Sequence, residues 1–398
     1  MNSSTPVVVL APGYVGHGIA RSLGRWRVPV YGVHGDARSP AARSRYWREN
    51  SIWQFDAATP AQSLDHLLQL GRRIGTMPLL VSTDDTTCLF VADHATELAG
   101  AFRFPQPPAG LARALSSKRE MYHLCKRFSV STPETVFPSS REDVVAYADT
   151  GDFPVVLKPI ENRAAQRDPD KRMVVVRDAA SLLRLYDAME TPNEPNLMLQ
   201  EYIPGGPDTV WMFNGYFDSD SRCLFGMTGK KLRQYPPYTG VTSLGICLSN
   251  ETVARTTTEF MKAVGYQGIL DIGYRYDARS GEYRLLDVNP RIGSTFRLFV
   301  DSIGMDVARA MYLDMSGQPV KAGHIKEGRK WVVENFDPVS SLTYHRDGRL
   351  GVADWVRSFR GLEEGSWLAL DDPAPFAAIT WRSVATAVKR FRQGRRPG

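Results

Sequence analysis

Cysteine is scarce in this chain: 398 residues hold four, Cys88, Cys125, Cys223 and Cys247, scattered with no Cys-x-x-Cys pair and no histidine cluster beside them. That argues against a zinc site and a disulfide framework, and favours a reducing, cytoplasmic setting. No apolar run approaches the ~20 residues that cross a bilayer. The opening Met1-Asn-Ser-Ser-Thr-Pro6 lacks the basic and apolar regions of a secretory signal, which supports the same expectation. Internal repeats and low-complexity tracts are missing too. So is any aromatic-studded basic groove, and no nucleic-acid partner is expected.

Charge of one sign is missing from one place. After Asp372 the sequence carries Arg382, Lys389, Arg390, Arg392, Arg395 and Arg396 with no acidic residue, and those six equal the formal net charge of +6. The rest of the chain is therefore close to neutral. A basic tail of this kind is either a solvated, frayed terminus or a contact to nucleic acid or to an anionic membrane surface.

What is present begins as alternating β and α. Val7–Leu10 leads through Gly13-Tyr14-Val15-Gly16-His17-Gly18 into a helix near 19–23, and a second strand follows at 28–33. Pro78-Leu-Leu-Val81 then runs into Ser82-Thr-Asp84-Asp85 at a helix start. This alternation predicts an α/β class with a parallel, Rossmann-like sheet over residues 1–112, closed by the proline-rich stretch 104–110. The glycine order is Gly-x-x-Gly-x-Gly, not the Gly-x-Gly-x-x-Gly of a dinucleotide site. Three readings stay open for that turn: a structural strand–helix link, a contact to a substrate carboxylate, or a dinucleotide site using Asp36.

The densest stretch is 268–291, where two β-rich runs flank Asp277-Ala-Arg-Ser-Gly281 and read as a hairpin. Pairing Tyr276 with Glu282 sets Asp271 opposite Asp287, with Asn289 on the same face. Opposed carboxylates repel. Either a divalent cation relieves them, for which carboxylate and amide oxygens suit Mg2+, or the pair sits on a solvated hairpin edge. Arg291, after Pro290, is placed to steady a phosphoryl group or oxyanion. Upstream, Lys158 ends the apolar run 153–157 and Lys118 opens a helical-looking segment; both suit a polyphosphate. Gly229-Lys230-Lys231-Leu-Arg233 would grip a γ-phosphate or a substrate carboxylate, or form a solvated turn.

Asp271 with Asp287-Val-Asn289-Pro-Arg291, preceded in order by Lys118, Lys158 and Gln200-Glu201-Tyr202-Ile203-Pro204-Gly205-Gly206, resembles the ATP-grasp superfamily over roughly residues 1–315. Within it the chain looks most like the stand-alone carboxylate–amine ligases. The resemblance implies an α+β ATP-grasp part after the Rossmann-like domain, with subdomains 113–180 and 181–317 and a C-terminal extension, 318–398, ending in the basic tail. It implies that Lys118 and Lys158 contact the α- and β-phosphates of ATP. Gln200, Glu201 and Ile203 would then frame adenine, and Asp208 would hold ribose. Mg2+, with Mn2+ able to substitute, would sit on Asp271, Asp287 and Asn289. Arg291, Lys230 and Arg233 would act at the transferring phosphoryl group, and specificity is sought at Ser294, Arg297 and the 13–18 turn.

The implied reaction joins a small-molecule carboxylate to a small-molecule amine through an acyl phosphate, releasing ADP and phosphate, in a protein that is often a homodimer. Rival readings are an ATP-dependent carboxylase using bicarbonate, a non-catalytic nucleotide-binding regulator and a nicotinamide-dependent oxidoreductase. One departure stands out. Where many members carry a glycine-rich lid, residues 159–172 are charged and offer Arg163 and Arg167 instead.

Overall fold

Val7–Leu10 (β1) is fully buried at all four positions. An unbroken apolar run is what a strand covered on both faces requires. It lies centrally in a sheet of order β3-β2-β1-β4 with β2 (Val30–His34), β3 (Trp47–Ile52) and β4 (Leu79–Ser82). Every pairing is parallel, so the Rossmann-like sheet read from the sequence is present. Helices follow β1 at Tyr14–Gly24 and β4 at Asp85–Asp93. The Asp84 side chain caps the second by accepting from the Thr87 N–H, which leaves Asp85 in its first turn.

The computed structural model describes residues 2–10, 13–160, 173–190 and 195–392, and it divides into two compact units. The larger comprises Met1–Ala112, Trp211–Asp271 and Asn289–Gly398, and the smaller comprises Arg113–Val210 and Ile272–Val288. Arg163 and Arg167 lie outside the described residues.

The smaller unit contains a four-stranded sheet of order β5-β8-β6-β7, formed by β5 (Thr135–Val136), β6 (Val155–Pro159), β7 (Val174–Val176) and β8 (Leu197–Glu201), all pairs antiparallel. Val155 and Leu157 join Leu197 and Leu199 in one apolar cluster with Val144 and Leu182 from the helices Arg141–Thr150 and Ala179–Met189. Side chains alternate along a strand. Lys158, beside Met198 in the register, therefore shares with Val156 and Gln200 the face away from those helices.

A seven-stranded sheet has the order β13-β12-β9-β10-β11-β14-β15. Its strands are β9 (Val210–Phe217), β10 (Cys223–Tyr235), β11 (Val241–Cys247), β12 (Gly268–Asp277), β13 (Glu282–Asn289), β14 (Lys330–Val332) and β15 (Leu362–Gly365). In the larger unit, β14 pairs antiparallel with β11 and parallel with β15. Buried ion pairs tie the same region down: Arg21 to Asp372, Arg233 to Asp337, and Arg297 to Asp306 and Glu364.

Candidate active site

In the smaller unit, Lys118 is the first residue of the helix Lys118–Arg127, capped by the Ser117 side chain, and its Nζ donates to the Ile160 carbonyl at 2.9 Å. An ammonium at a helix N-terminus sits at the positive end of the macrodipole. Lys158 is close enough for its charge to be felt. Burial, and then the Lys118 ammonium, pull the Lys158 pKa down to about 8, against an upward pull from Asp287. A cation at a dipole's positive end, with a second within electrostatic reach, forms a seat for a polyanion.

The adenine and ribose candidates are partly engaged. Gln200 is buried and its amide donates to Thr135 Oγ1 at 3.3 Å. The Glu201 carboxylate accepts from Arg279 at 2.6 Å and from the Glu134 N–H at 3.2 Å. Ile203 is buried, whereas Asp208 is exposed after the Gly205-Gly206 turn. Arg275, which the sequence reading missed, donates to the Gly205 carbonyl; Tyr202 and Asp208 lie within electrostatic reach of it. Its only signal was an arginine between Tyr274 and Tyr276 in β12.

Asp271 lies beside Asn289, whose Nδ2 approaches Asp271 Oδ2 at 3.5 Å. Asp287 lies beside Gly273, where an added Cβ would meet Asp287 Oδ1 at 2.9 Å. Side chains alternate along a strand, so Asp287 and Asn289 share one face of β13.

Asp271 is further held by Asn214, whose Nδ2 donates to Asp271 Oδ1 at 3.3 Å from the fully buried strand β9. An amide within an all-buried strand was the signal that could have found it. Gly293 crowds the other side: a Cβ there would lie 2.2 Å from Asp271 Cγ. Arg291 donates through Nε to Asp85 Oδ1 at 2.6 Å and through Nη2 to Asn289 Oδ1 at 3.2 Å. Tyr14, at the start of the glycine-rich turn's helix, hydrogen-bonds Ser294 and feels the charges of Arg291 and Asp271, while burial raises its pKa and keeps it neutral. Asp36, by contrast, accepts from the Arg38 N–H in its own turn. The turn thus faces the Asp271 cluster.

Arg233 and Arg297 are both engaged within the larger unit. Arg233 is grouped with Lys230 in the sequence, and a bulge in β10 interrupts the register on both sides of it. The bulge delivers its guanidinium to Asp337, at 2.7 and 2.9 Å, and to Ser358 Oγ at 2.8 Å. All three nitrogens of this buried guanidinium are thus engaged inside the larger unit. Likewise Arg297, a candidate for specificity, is spent on Asp306 and Glu364. Lys230 keeps another environment, with Nζ 4.6 Å from the Trp211 ring centroid. Asp337→Ala is expected to cost about 3–5 kcal/mol by leaving Arg233 buried without its partner. The check is a clear fall in melting temperature with nucleotide affinity retained in the cold.

Among the described residues no group of three or more His, Cys, Asp and Glu side chains is arranged to hold a metal. Two carboxylates and an amide fit a Mg2+ ion that arrives with phosphates and keeps some of its water. The two glycines support that fit, since each leaves open the flank of a carboxylate where a Cβ would intrude.

No protein-family model matches the chain. It is 26% identical over 243 residues to the D-aspartate ligase of Enterococcus faecium, an alignment covering 58% of this chain and 57% of that protein. The chain thus spans little more than half the length of this relative. Among solved structures, the N5-carboxyaminoimidazole synthetase of Staphylococcus aureus superposes with a TM-score of 0.64 at 12% identity, covering 83% of this chain and 82% of that one. The L-amino acid ligase of Bacillus licheniformis gives 0.62 at 14% identity, covering 83% and 79%. The chain thus shares the fold of these two solved structures and is similar in sequence to a D-aspartate ligase.

Proposed function

We propose that the protein is an ATP-dependent carboxylate–amine ligase that makes an amide through an acyl phosphate. The observation that carries this reading is the Lys118–Lys158 pair: Lys118 Nζ sits on the Ile160 carbonyl, two residues past Lys158, and Lys158 feels the charges of Lys118 and Asp287. In this reading they bind the α- and β-phosphates, and residues 200–203 take the adenine edge. Mg2+, when held by Asp271, Asp287 and Asn289, supplies neutralising charge to the outer phosphates. Lys230 adds a cation for the γ-phosphate or the acid.

Arg291, fixed by Asp85 and Asn289, orients the substrate carboxylate, and the neutral Tyr14 hydroxyl offers it a further hydrogen bond. A carboxylate oxygen attacks the γ-phosphorus, the bond to ADP breaks, and an acyl phosphate forms. The amine lone pair then attacks the acyl carbon, phosphate leaves, and the nitrogen loses its proton. The likeness to a D-aspartate ligase supports an amino acid as the acid substrate. No described helix is long and apolar enough to cross a membrane, and small molecules are the partners in this reading.

The test uses hydroxylamine as a generic amine with Mg-ATP and a panel of D- and L-amino acids, aspartate included. Hydroxamate formed in step with ADP is the expected result and names the acid. ADP release that needs bicarbonate and yields no hydroxamate would replace the reading with a carboxylase. ATP binding without ADP across the panel would leave a regulatory module.

A further inference from the structure

The helix Ala374–Arg392 is anchored at its start and bare beyond it. Phe376 and Ile379 pack on the larger unit's core. From Thr380 to Lys389, every residue whose exposure is described is exposed. Three large apolar side chains are among them: Trp381 at 76%, Val384 at 53% and Val388 at 45%. Their spacing of three and four residues gathers them into a stripe about 60° wide. Phe376 and Ile379 fall on roughly the opposite side of the same wheel, so the stripe is not the anchoring face. Arg382 and Lys389 sit one above the other along its flank, and no acid follows Asp372 anywhere in the sequence.

We propose that this helix lies in an anionic lipid surface, with Trp381, Val384 and Val388 in the headgroup–acyl boundary and Arg382 and Lys389 on the headgroups. The combination of an apolar stripe, a tryptophan and flanking bases matches an interfacial helix. Charge selects this occupant over a second copy. A twofold contact through the stripe would set Arg382 and Lys389 of one copy near those of the other, with no acid on the helix beyond Asp372 to pair them. A nucleic-acid backbone would answer the bases but leave the tryptophan and valines in water. The inference does not depend on the ligase reading.

The experiment is vesicle flotation of the full chain with phosphatidylcholine alone and with phosphatidylcholine containing phosphatidylglycerol. The wild type should float with the anionic vesicles, stay behind with the neutral ones, and detach in high salt. W381S/V384S/V388S and R382E/K389E should each lower the bound fraction about tenfold with melting temperature unchanged, because all five positions are exposed. The proposal is overturned if the wild type ignores anionic vesicles, if it binds neutral ones equally, or if the triple variant binds as the wild type does. It is equally overturned if the stripe drives a concentration-dependent dimer in the absence of lipid, or if duplex DNA displaces the vesicles.

Discussion

Replacing Lys158 by methionine should lower ATP turnover by about a hundredfold or more while leaving the empty protein at least as stable. Methionine keeps the apolar stem and removes only the ammonium. A charged donor to the phosphates is a large contributor to phosphoryl transfer, whose catalysis is mostly positioning and charge. In the empty protein the same charge is a liability, because burial and Lys118 pull the Lys158 pKa down to about 8. An unfolded lysine titrates near ~10.4. Between the two values the unfolded chain binds more protons, so this residue makes stability rise with pH across that window. The penalty is full below pH ~8 and has vanished above ~10.4. The melting-temperature advantage of the variant should therefore be largest at pH 7 and shrink toward pH 10. ATP should raise the melting temperature of the wild type far more than that of the variant, and wild-type affinity should weaken as pH passes 8. Turnover preserved in the variant, or an apo form that melts markedly lower at pH 7, would remove Lys158 from the phosphate site.

What the sequence made legible was local. The period-two pattern of β6 separates Val155 and Leu157 from Lys158, and that separation is what the sheet shows. The two strands of the β12–β13 hairpin were legible for the same reason. The loop that closes it was not: Gly281, at φ 74°, donates its N–H to the Asp277 carbonyl at 2.8 Å, a geometry that residue spacing does not announce.

The partners of Arg233 were hidden for a different reason. A single bulge turned it toward an aspartate 104 positions away, and neither the bulge nor the partner has a local signature. The supports of Arg291 and Asp271 were invisible in the same way. Asp85 is 206 residues from Arg291, and Asn214 is 57 from Asp271. Side chains proposed to present a group to a ligand were chosen from type and spacing, whereas those that hold such a group in place needed the tertiary fold.

That distinction yields the second large expectation, at a residue with no functional group. Gly293→Ala should lower ATP turnover about as far as Asp271→Asn, on the order of a hundredfold if Asp271 holds the metal. The added Cβ would meet Asp271 at Cγ, Oδ2 and Cβ within 2.2 to 2.6 Å, so the carboxylate must leave its place beside Asn214 and Asn289. Gly293 is not among the positive-φ glycines, so alanine brings no backbone strain there and the damage should pass through Asp271 alone. Gly273→Ala is the matched control. Its Cβ would meet only the Oδ1 tip of Asp287, at 2.9 Å, and an exposed carboxylate can swing aside. Its loss should be smaller. Both alanine variants should show a raised Mg2+ requirement with ATP affinity in the absence of metal little changed, which separates displaced ligands from a damaged nucleotide seat. Combining Gly293→Ala with Asp271→Asn should add almost nothing to either, because the two changes act on one group. Additive losses, or a larger defect at Gly273 than at Gly293, would mean that Asp271 is not the carboxylate on which turnover depends.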